Sequence, residues 1–503
     1  MTNRQRIKKF FAILDEVDAY ARCLGKMEFD LQCCAPEEGM DQAGEDMATV
    51  GKQIFRLTHS KRYTDLLLAL HEDPEGLSEL EKKSVDYHYD VYLKEKNVSP
   101  KFSYELDMAH GKAYGEWLKA KKNGSFAEYK AAFETVLKYE RENVLLRDEK
   151  KPTPYDWMLD DFEKGGSIAR LDEFFGAIKE RFIPLIRRIQ AEGKPIRTDF
   201  LTRPCSIAKQ EEFSRYLLEL EGLRKSALVL MTTEHPFTDN YGPHDVRVTT
   251  HYYEENFISN IFSTLHEGGH ALFMQYEPEE FVPTHNYNHM SCAMHETISR
   301  FYENIVGRSE EFISFVYPKL RDLTGDTFAD ISEKELYEAV NVAEPGLIRM
   351  EADELTYCLH IIIRYELEKA FVNGEITADE IPGLWNRKYK EYLGVDVPDD
   401  AMGCLQDVHW TNGFGYFPSY ALGNAYGAQI LRTMEKDFDV FAAVKAGELY
   451  RLRDWMKEHV FSIASVSTPD EWIRAITGES LNVNYYLDYL TDKFTTLYAL
   501  TNN

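Results

Sequence analysis

The sequence predicts a mainly α protein with a very small β element, and three observations carry that prediction. Apolar residues recur at three-and-four spacing, interleaved with charge, through most of the 503 residues. Glycine and proline gather in the gaps between those stretches. Only Arg247-Val248-Thr249-Thr250 and its flanks form a convincing β-prone run.

Taken in order, the periodic stretches predict helices over 5–35, 44–72, 76–96, 101–122, 125–149, 169–192 and 208–232. Further helices are predicted over 256–277, 293–317, 333–343, 346–373, 377–394, 424–447 and 468–477. Breaks are expected at Gly76, Pro100, Gly124, Pro152-Pro154, Gly165-Gly166 and Gly193-Pro195. No repeat, low-complexity tract or long linker interrupts the chain. It is therefore read as one catalytic unit over 1–503. About 1–200 would form a helical lobe, and about 235–420 would carry the chemistry.

Composition narrows the function. A formal charge of −27 argues against nucleic acid, whose phosphates need a basic face. Seven scattered cysteines, an odd number with no C-x-x-C pair, do not make a disulfide framework and fit a reducing cytoplasm. The first 26 residues mix charge with Phe10, Phe11, Ile13 and Leu14, an amphipathic helix rather than a leader. No apolar run approaches the ~20 residues of a membrane span. Phosphate-binding Gly-Lys-Ser/Thr loops and Gly-x-Ser-x-Gly elbows are absent, so nucleotide and serine hydrolysis have no handle.

The chemistry is concentrated in His266-Glu267-Gly268-Gly269-His270. Residues four apart on a helix share a face, so both imidazoles can take corners of a zinc tetrahedron. Glu267, beside them, can take a proton from water at the metal. Two adjacent mid-helix glycines each cost about 1 kcal/mol relative to alanine, which implies that another backbone, a substrate or a side chain approaches closely there. A catalytic site needs a third ligand. Glu296 follows His270 by 26 residues, room for a loop and a return helix. Spacing puts it only slightly ahead of His295, and His285 and His289 also compete.

Three other segments bear on function. Asp245-x-Arg247-x-Thr249 either presents Arg247 to a substrate carboxylate or fixes a strand edge through an Arg–Asp pair. Arg349, after Pro345, either forks a carboxylate or pairs with Asp353 one turn on. His409, Tyr416 and Tyr420 lie in a Gly-aromatic stretch. They could donate to a developing oxyanion or simply pack.

Together, His266-Glu267-x-x-His270, His295-Glu296-Thr297, Asp245-x-Arg247-x-Thr249, Ile348-Arg349-x-x-Ala352-Asp353 and Gly403-x-x-Gln406-Asp407-x-His409-Trp410 resemble the motifs of the carboxypeptidase Taq family of metallocarboxypeptidases. The likeness spans essentially the whole chain. It implies a helical metallopeptidase fold with a deep central groove, a homodimer, and one zinc ion per chain, replaceable by cobalt. It selects Glu296 as third ligand beside His266 and His270, with Glu267 as general base. It points to Arg349 and Arg247 for the C-terminal carboxylate of a peptide, and to His409 and Tyr420 for the oxyanion. His235-Pro236-Phe237-Thr238 also resembles a family segment along the groove. Thr297 departs from the serine of many relatives. The resulting expectation is removal of single residues from peptide C-termini. An endo-acting metallo-oligopeptidase and a catalytically silent peptide-binding protein are the alternatives.

Overall fold

The computed structural model describes residues 1–501. Nine helices come first: α1 (Asn3–Cys33), α2 (Met40–Thr58), α3 (Lys61–Glu72), α4 (Glu79–Glu95), α5 (Pro100–Asn123), α6 (Phe126–Leu145), α7 (Pro154–Phe162), α8 (Ile168–Glu192) and α9 (Ile207–Glu221). Local chemistry sets their starts. Thr2 and Ser78 close capping boxes with Gln5 and Glu81, satisfying orphan amides of the first turn. Pro100 and Pro154 sit in the first turn after Ser99 and Thr153, where a missing N–H costs nothing.

Three strands follow: β1 (Leu228–Thr232), β2 (Thr238–Asn240) and β3 (Val246–Thr250), in the order β1-β3-β2. β3 pairs in parallel with β1, Leu228 opposite Val246, and antiparallel with β2, Thr238 opposite Val248. The remaining helices used below are α10 (Phe257–Tyr276), α11 (Cys292–Arg300), α12 (Glu310–Thr324), α13 (Glu333–Val340), α14 (Tyr357–Val372), α15 (Ile381–Tyr392) and α16 (Pro418–Met434), with shorter helices after them.

The mainly α class and the small β element hold. Several boundaries differ for identifiable reasons. The helix expected over 44–72 divides at Ser60, which caps α3 by accepting from the Tyr63 amide. The helix expected over 208–232 stops at Glu221, because Gly222 turns left-handed at φ +96°. The apolar run after it becomes β1. Pro154 opens a helix instead of marking a loop. The helix expected over 293–317 ends at Arg300, passes through a π turn (Phe301–Val306), and resumes as α12.

Two cores hold the chain. The large one runs from α5 to the C-terminal helices and encloses α10, α11, α14 and α16. A smaller one joins α1, α3 and α4 through Phe10, Leu14, Leu67, Leu70 and Val85. The separately packed N-terminal piece is thus α1–α4, shorter than the expected lobe of about 200 residues, since α5–α8 belong to the large core.

Candidate metal centre

α10 is apolar on nearly every side and buried along its length, lying against β2 and β3 on one flank and α9 and α11 on others. Its glycines are explained by close approach. A methyl at Gly268 would overlap the Glu221 carboxyl. One at Gly269 would stand 2.7 Å from Ser299 Cα. From the opposite side a methyl at Gly423 of α16 would stand 2.8 Å from Glu296 Cβ. Glycines on two helices therefore let α11 lie backbone-close between them, and that fixes where Glu296 points.

His266, His270 and Glu296 offer one ligand atom each within 4.8 Å of one another, the one such triad found among the described residues. His266 Nδ1 lies 2.8 Å from Glu303 Oε2, so Nδ1–H donates to that carboxylate and Nε2, 3.7 Å from Glu296 Oε2, is free to ligate. His270 Nδ1 meets His295 Nδ1 at 2.6 Å. Burial holds both of these imidazoles neutral, His295 down to about 4. Two imidazoles and a carboxylate are a donor set that suits zinc, although burial at His266 is outweighed by Glu303 and Glu296, which raise its pKa, so a metal there would have to displace a proton. His295 is not part of that triad and stands against His270. His285 and His289 lie elsewhere, against α1 and α4.

Two buried carboxylates flank His266 and differ sharply. Burial pushes Glu267 up to about 7, assisted by the charges of Glu296 and Glu303 and opposed by His266 and a hydrogen bond from Thr238. For Glu303 burial also acts upward, but Arg300, His266 and Arg308 outweigh it and hold the group at about 2. Arg300 Nη1 donates to Glu303 at 3.1 Å while its plane lies 4.3 Å from the Tyr357 ring centre.

Tyr357 leads to the next group. Its hydroxyl accepts from Arg349 Nη1 at 3.1 Å. Arg349 occupies a 3-10 turn ahead of α14, not the helix itself. Its Nε and Nη2 donate to Asp407 Oδ1 at 3.0 and 2.8 Å, and Arg364 holds the other oxygen at 2.6 Å. Despite burial, these two guanidinium groups keep the Asp407 carboxyl far below the usual range. The pairing of Arg349 with Asp353 considered from sequence does not form. Asp353 instead accepts from the amides of Leu355 and Thr356. Arg349 also lies 5.0 Å from the Tyr420 ring centre. Tyr420 in turn meets His409 Nε2 at 3.3 Å, and burial holds that imidazole neutral, down to about 4. The Tyr416 and Tyr420 rings lie 5.1 Å apart. The fold thus gathers Arg349, His409, Tyr416 and Tyr420 into one cluster, whose Tyr416 and Tyr420 feel the charge of Glu296.

Arg247 is placed differently. Strand alternation puts Val246 and Val248, both fully buried, on the α10 side and Arg247 on the other. Its fork is taken up by Asp245 at 3.0 and 3.2 Å. Its plane lies 5.0 Å from Phe29 and 4.7 Å from Tyr241. Of the two readings left open by the sequence, this geometry favours the strand-edge pair.

Sequence reasoning missed Glu303, Thr238 and Tyr357. Glu303 carried one signal, being seven residues, or about two turns, beyond Glu296 on the same helical face. Thr238 lay in a segment given no role. It donates to Glu267 Oε2 at 2.6 Å.

The chain is similar over nearly its whole length to proteins of one metallopeptidase family. The family model described as carboxypeptidase Taq (M32) metallopeptidase matches residues 9–494. Carboxypeptidase 1 of Bacillus subtilis (strain 168) is 37% identical, covering 98% of this chain and 99% of its own. Thermostable carboxypeptidase 1 of Thermus thermophilus is 33% identical, covering 96% and 97%. The crystal structure of an M32 carboxypeptidase from Deinococcus radiodurans R1 superposes with a TM-score of 0.95 at 28% identity, covering 99% of this chain and all of that one.

Proposed function

The chain belongs to the carboxypeptidase Taq (M32) metallopeptidase family, a metal-dependent carboxypeptidase acting on peptides, and from that premise we propose how its residues divide the reaction. His266, His270 and Glu296 would hold one zinc ion, for which cobalt could substitute. When bound, the ion supplies a Lewis acid for the scissile carbonyl and lowers the pKa of water toward about 7. Glu267 takes the proton from the attacking water and later passes it to the leaving amine. The Tyr420 hydroxyl, backed by neutral His409, donates to the tetrahedral oxyanion, a contribution of about 3–4 kcal/mol in comparable sites. Arg349 is assigned the substrate's free C-terminal carboxylate, which would set the cut one residue from the end and would require Asp407 or Tyr357, the partners that occupy its three nitrogens, to share or yield a donor. Arg247 is assigned to the strand edge and not to the substrate.

The observation that carries this reading is the convergence of His266, His270 and Glu296 within 4.8 Å beside a buried carboxylate, Glu267, poised at about 7. Its test is the mass of products from one unblocked peptide, with chelator and with Zn²⁺ or Co²⁺ restored. A ladder shortened one residue at a time from the C-terminus, lost with chelator and regained with zinc, is the expected result. Internal fragments, or a peptide amide trimmed as fast as the free acid, would remove the role of Arg349.

We assign the whole chain to one catalytic unit, which the match over 9–494 supports. We also assign a homodimer, supported by the family and by the outer face of α5, where Tyr104, Met108, Tyr114 and Leu118 are exposed. Light scattering should give twice the 58.4 kDa chain mass, and Met108→Glu should lower it if α5 is the contact. Seven free thiols support a reducing cytoplasm. Among the described residues no helix is long and apolar enough to cross a membrane.

A further inference from the structure

We infer that Thr238 is a positioning residue for Glu267, and that the β2–β3 ribbon and α1 hold it in place. The inference rests on Glu267 as the general base.

A glutamate carboxylate rotates freely about its last torsion, because that sp³–sp² bond has only broad minima. A base that must meet a water at one fixed point needs one oxygen tied and the other free. Glu267 has that arrangement. Thr238 Oγ1 lies 2.6 Å from Oε2, the length of a hydroxyl donating to an ionised carboxylate. It also lies 3.0 Å from the Glu267 carbonyl oxygen, so it sits against both ends of the residue. Among the described residues no hydrogen bond reaches Oε1. That oxygen is left for the water.

The hydroxyl is held on a stiff mount. Threonine is β-branched, and its χ1 is restricted. Thr238 is paired across the ribbon with Val248, which is fully buried. The next residue, Asp239, lies on the outer face opposite Arg247, and there the ribbon is fastened to α1. Tyr241 Oη lies 2.8 Å from the Gly25 carbonyl oxygen and 2.9 Å from Asp239 Oδ2. Lys26 pairs with Asp245 at 3.0 Å, and Arg247 lies flat between Phe29 and Tyr241. A methyl at Gly25 would stand 2.9 Å from the Tyr241 ring, so helix and ribbon are in close contact. The inner face of β2 thus orients the base, and its outer face takes its position from α1.

The test compares Thr238→Val, isosteric and strand-forming but unable to donate, with Thr238→Ser, which keeps the donor. With Thr238→Val, kcat should fall about 10- to 100-fold, part of the 10²–10⁴ that a general base supplies. KM should stay within about twofold, since uniform binding is untouched. Metal stoichiometry and Tm should also hold. Thr238→Ser should recover most of the rate. In a Glu267→Gln background the further change to Val should cost nothing, because the two residues act as a unit. A Thr238→Val enzyme with kcat within twofold of the parent would overturn the inference. So would equal losses in the Val and Ser variants, or a full additional loss in the Glu267→Gln background. If Glu267→Gln itself kept substantial turnover, the underlying base assignment would fail instead, a separate result.

Discussion

Two clusters of three histidines, all half-buried except the buried His285, stand among the described residues, and only one has the makings of a metal site. In the catalytic floor, His266, His270 and His295 share their pocket with Glu296 and Glu303, whose side chains are 8% and 13% exposed. At the joint between α1, α4 and the loop before α11, His88, His285 and His289 have as acidic partners Asp15 and Asp18, 74% and 44% exposed and reaching only His285. The His88 and His289 rings cross at 6.1 Å and 86°, and His88 Nε2 and His289 Nδ1 have no hydrogen-bond partner. Clustered imidazoles alone therefore mark nothing. Dry carboxylates that fix a tautomer and converge on the same point make the difference, because they aim the free nitrogens and favour a cation between them.

The strongest way to break this comparison is to remove one imidazole from each cluster. His266→Ala should bind no stoichiometric metal and lose at least ~10³ in kcat/KM, since metal and base both act at that point. His289→Ala should keep full metal content and a rate within about twofold of the parent, losing only stability. Metal analysis after dialysis, together with initial rates, separates the two. Comparable losses in both variants would put the joint in the active site.

Glu303 sharpens the contrast. If its role is to orient His266 and raise its basicity, Glu303→Gln should weaken metal binding about 10- to 100-fold while turnover at saturating metal falls less. Competition with a chromophoric chelator gives the affinity directly. An unchanged affinity would reduce Glu303 to a counter-ion for Arg300 and Arg308.

A smaller effect tests how the floor is packed. Gly269→Ala should lower stability by about 1–3 kcal/mol, the usual range for overpacking, because the clash is with Ser299 backbone and not with a mobile side-chain end. Gly76→Ala, with open space around it but φ +80°, should cost less. Denaturant midpoints check both.

These features were legible in the sequence to unequal degrees. His266, Glu267 and His270 could be read because their geometry is local, one turn of one helix. The glycine pair announced a close neighbour, but nothing in the chain named Ser299 and Glu221 as the ones. Among Glu296, His285, His289 and His295, spacing alone could not choose, since the choice depends on a loop that carries two of them to the joint. β1 was read as helix because Leu228-Val229-Leu230-Met231 suits both periods over so short a run. The left-handed Gly222 was the stronger signal. Thr238 was invisible because its partner comes from packing a strand on a helix 29 residues away.

A pH effect is also expected at the joint. Burial holds His88 at about 3 and His289 at about 4, below the ordinary 6.5; His285 lowers both further, and Asp18 opposes. The groups around them are Asp15 and Asp18 of α1, His285 and the stacked Tyr87 of α4. An unfolded chain takes up the protons that this packing refuses. The stability contributed by the neutral pair is therefore complete above about pH 6.5 and is lost progressively as pH falls toward 4, by at most about 1.4 kcal/mol per unit for each group. The floor has its own acid losses, but hydrogen exchange resolves the two regions. Amides of α1 and α4 should lose protection progressively as pH falls from 7 to 5. His88→Phe combined with His289→Phe should flatten that trend, since the aromatic packing stays and the titration goes. An equally steep loss in the double variant would remove the neutral rings of His88 and His289 as the source of the pH dependence.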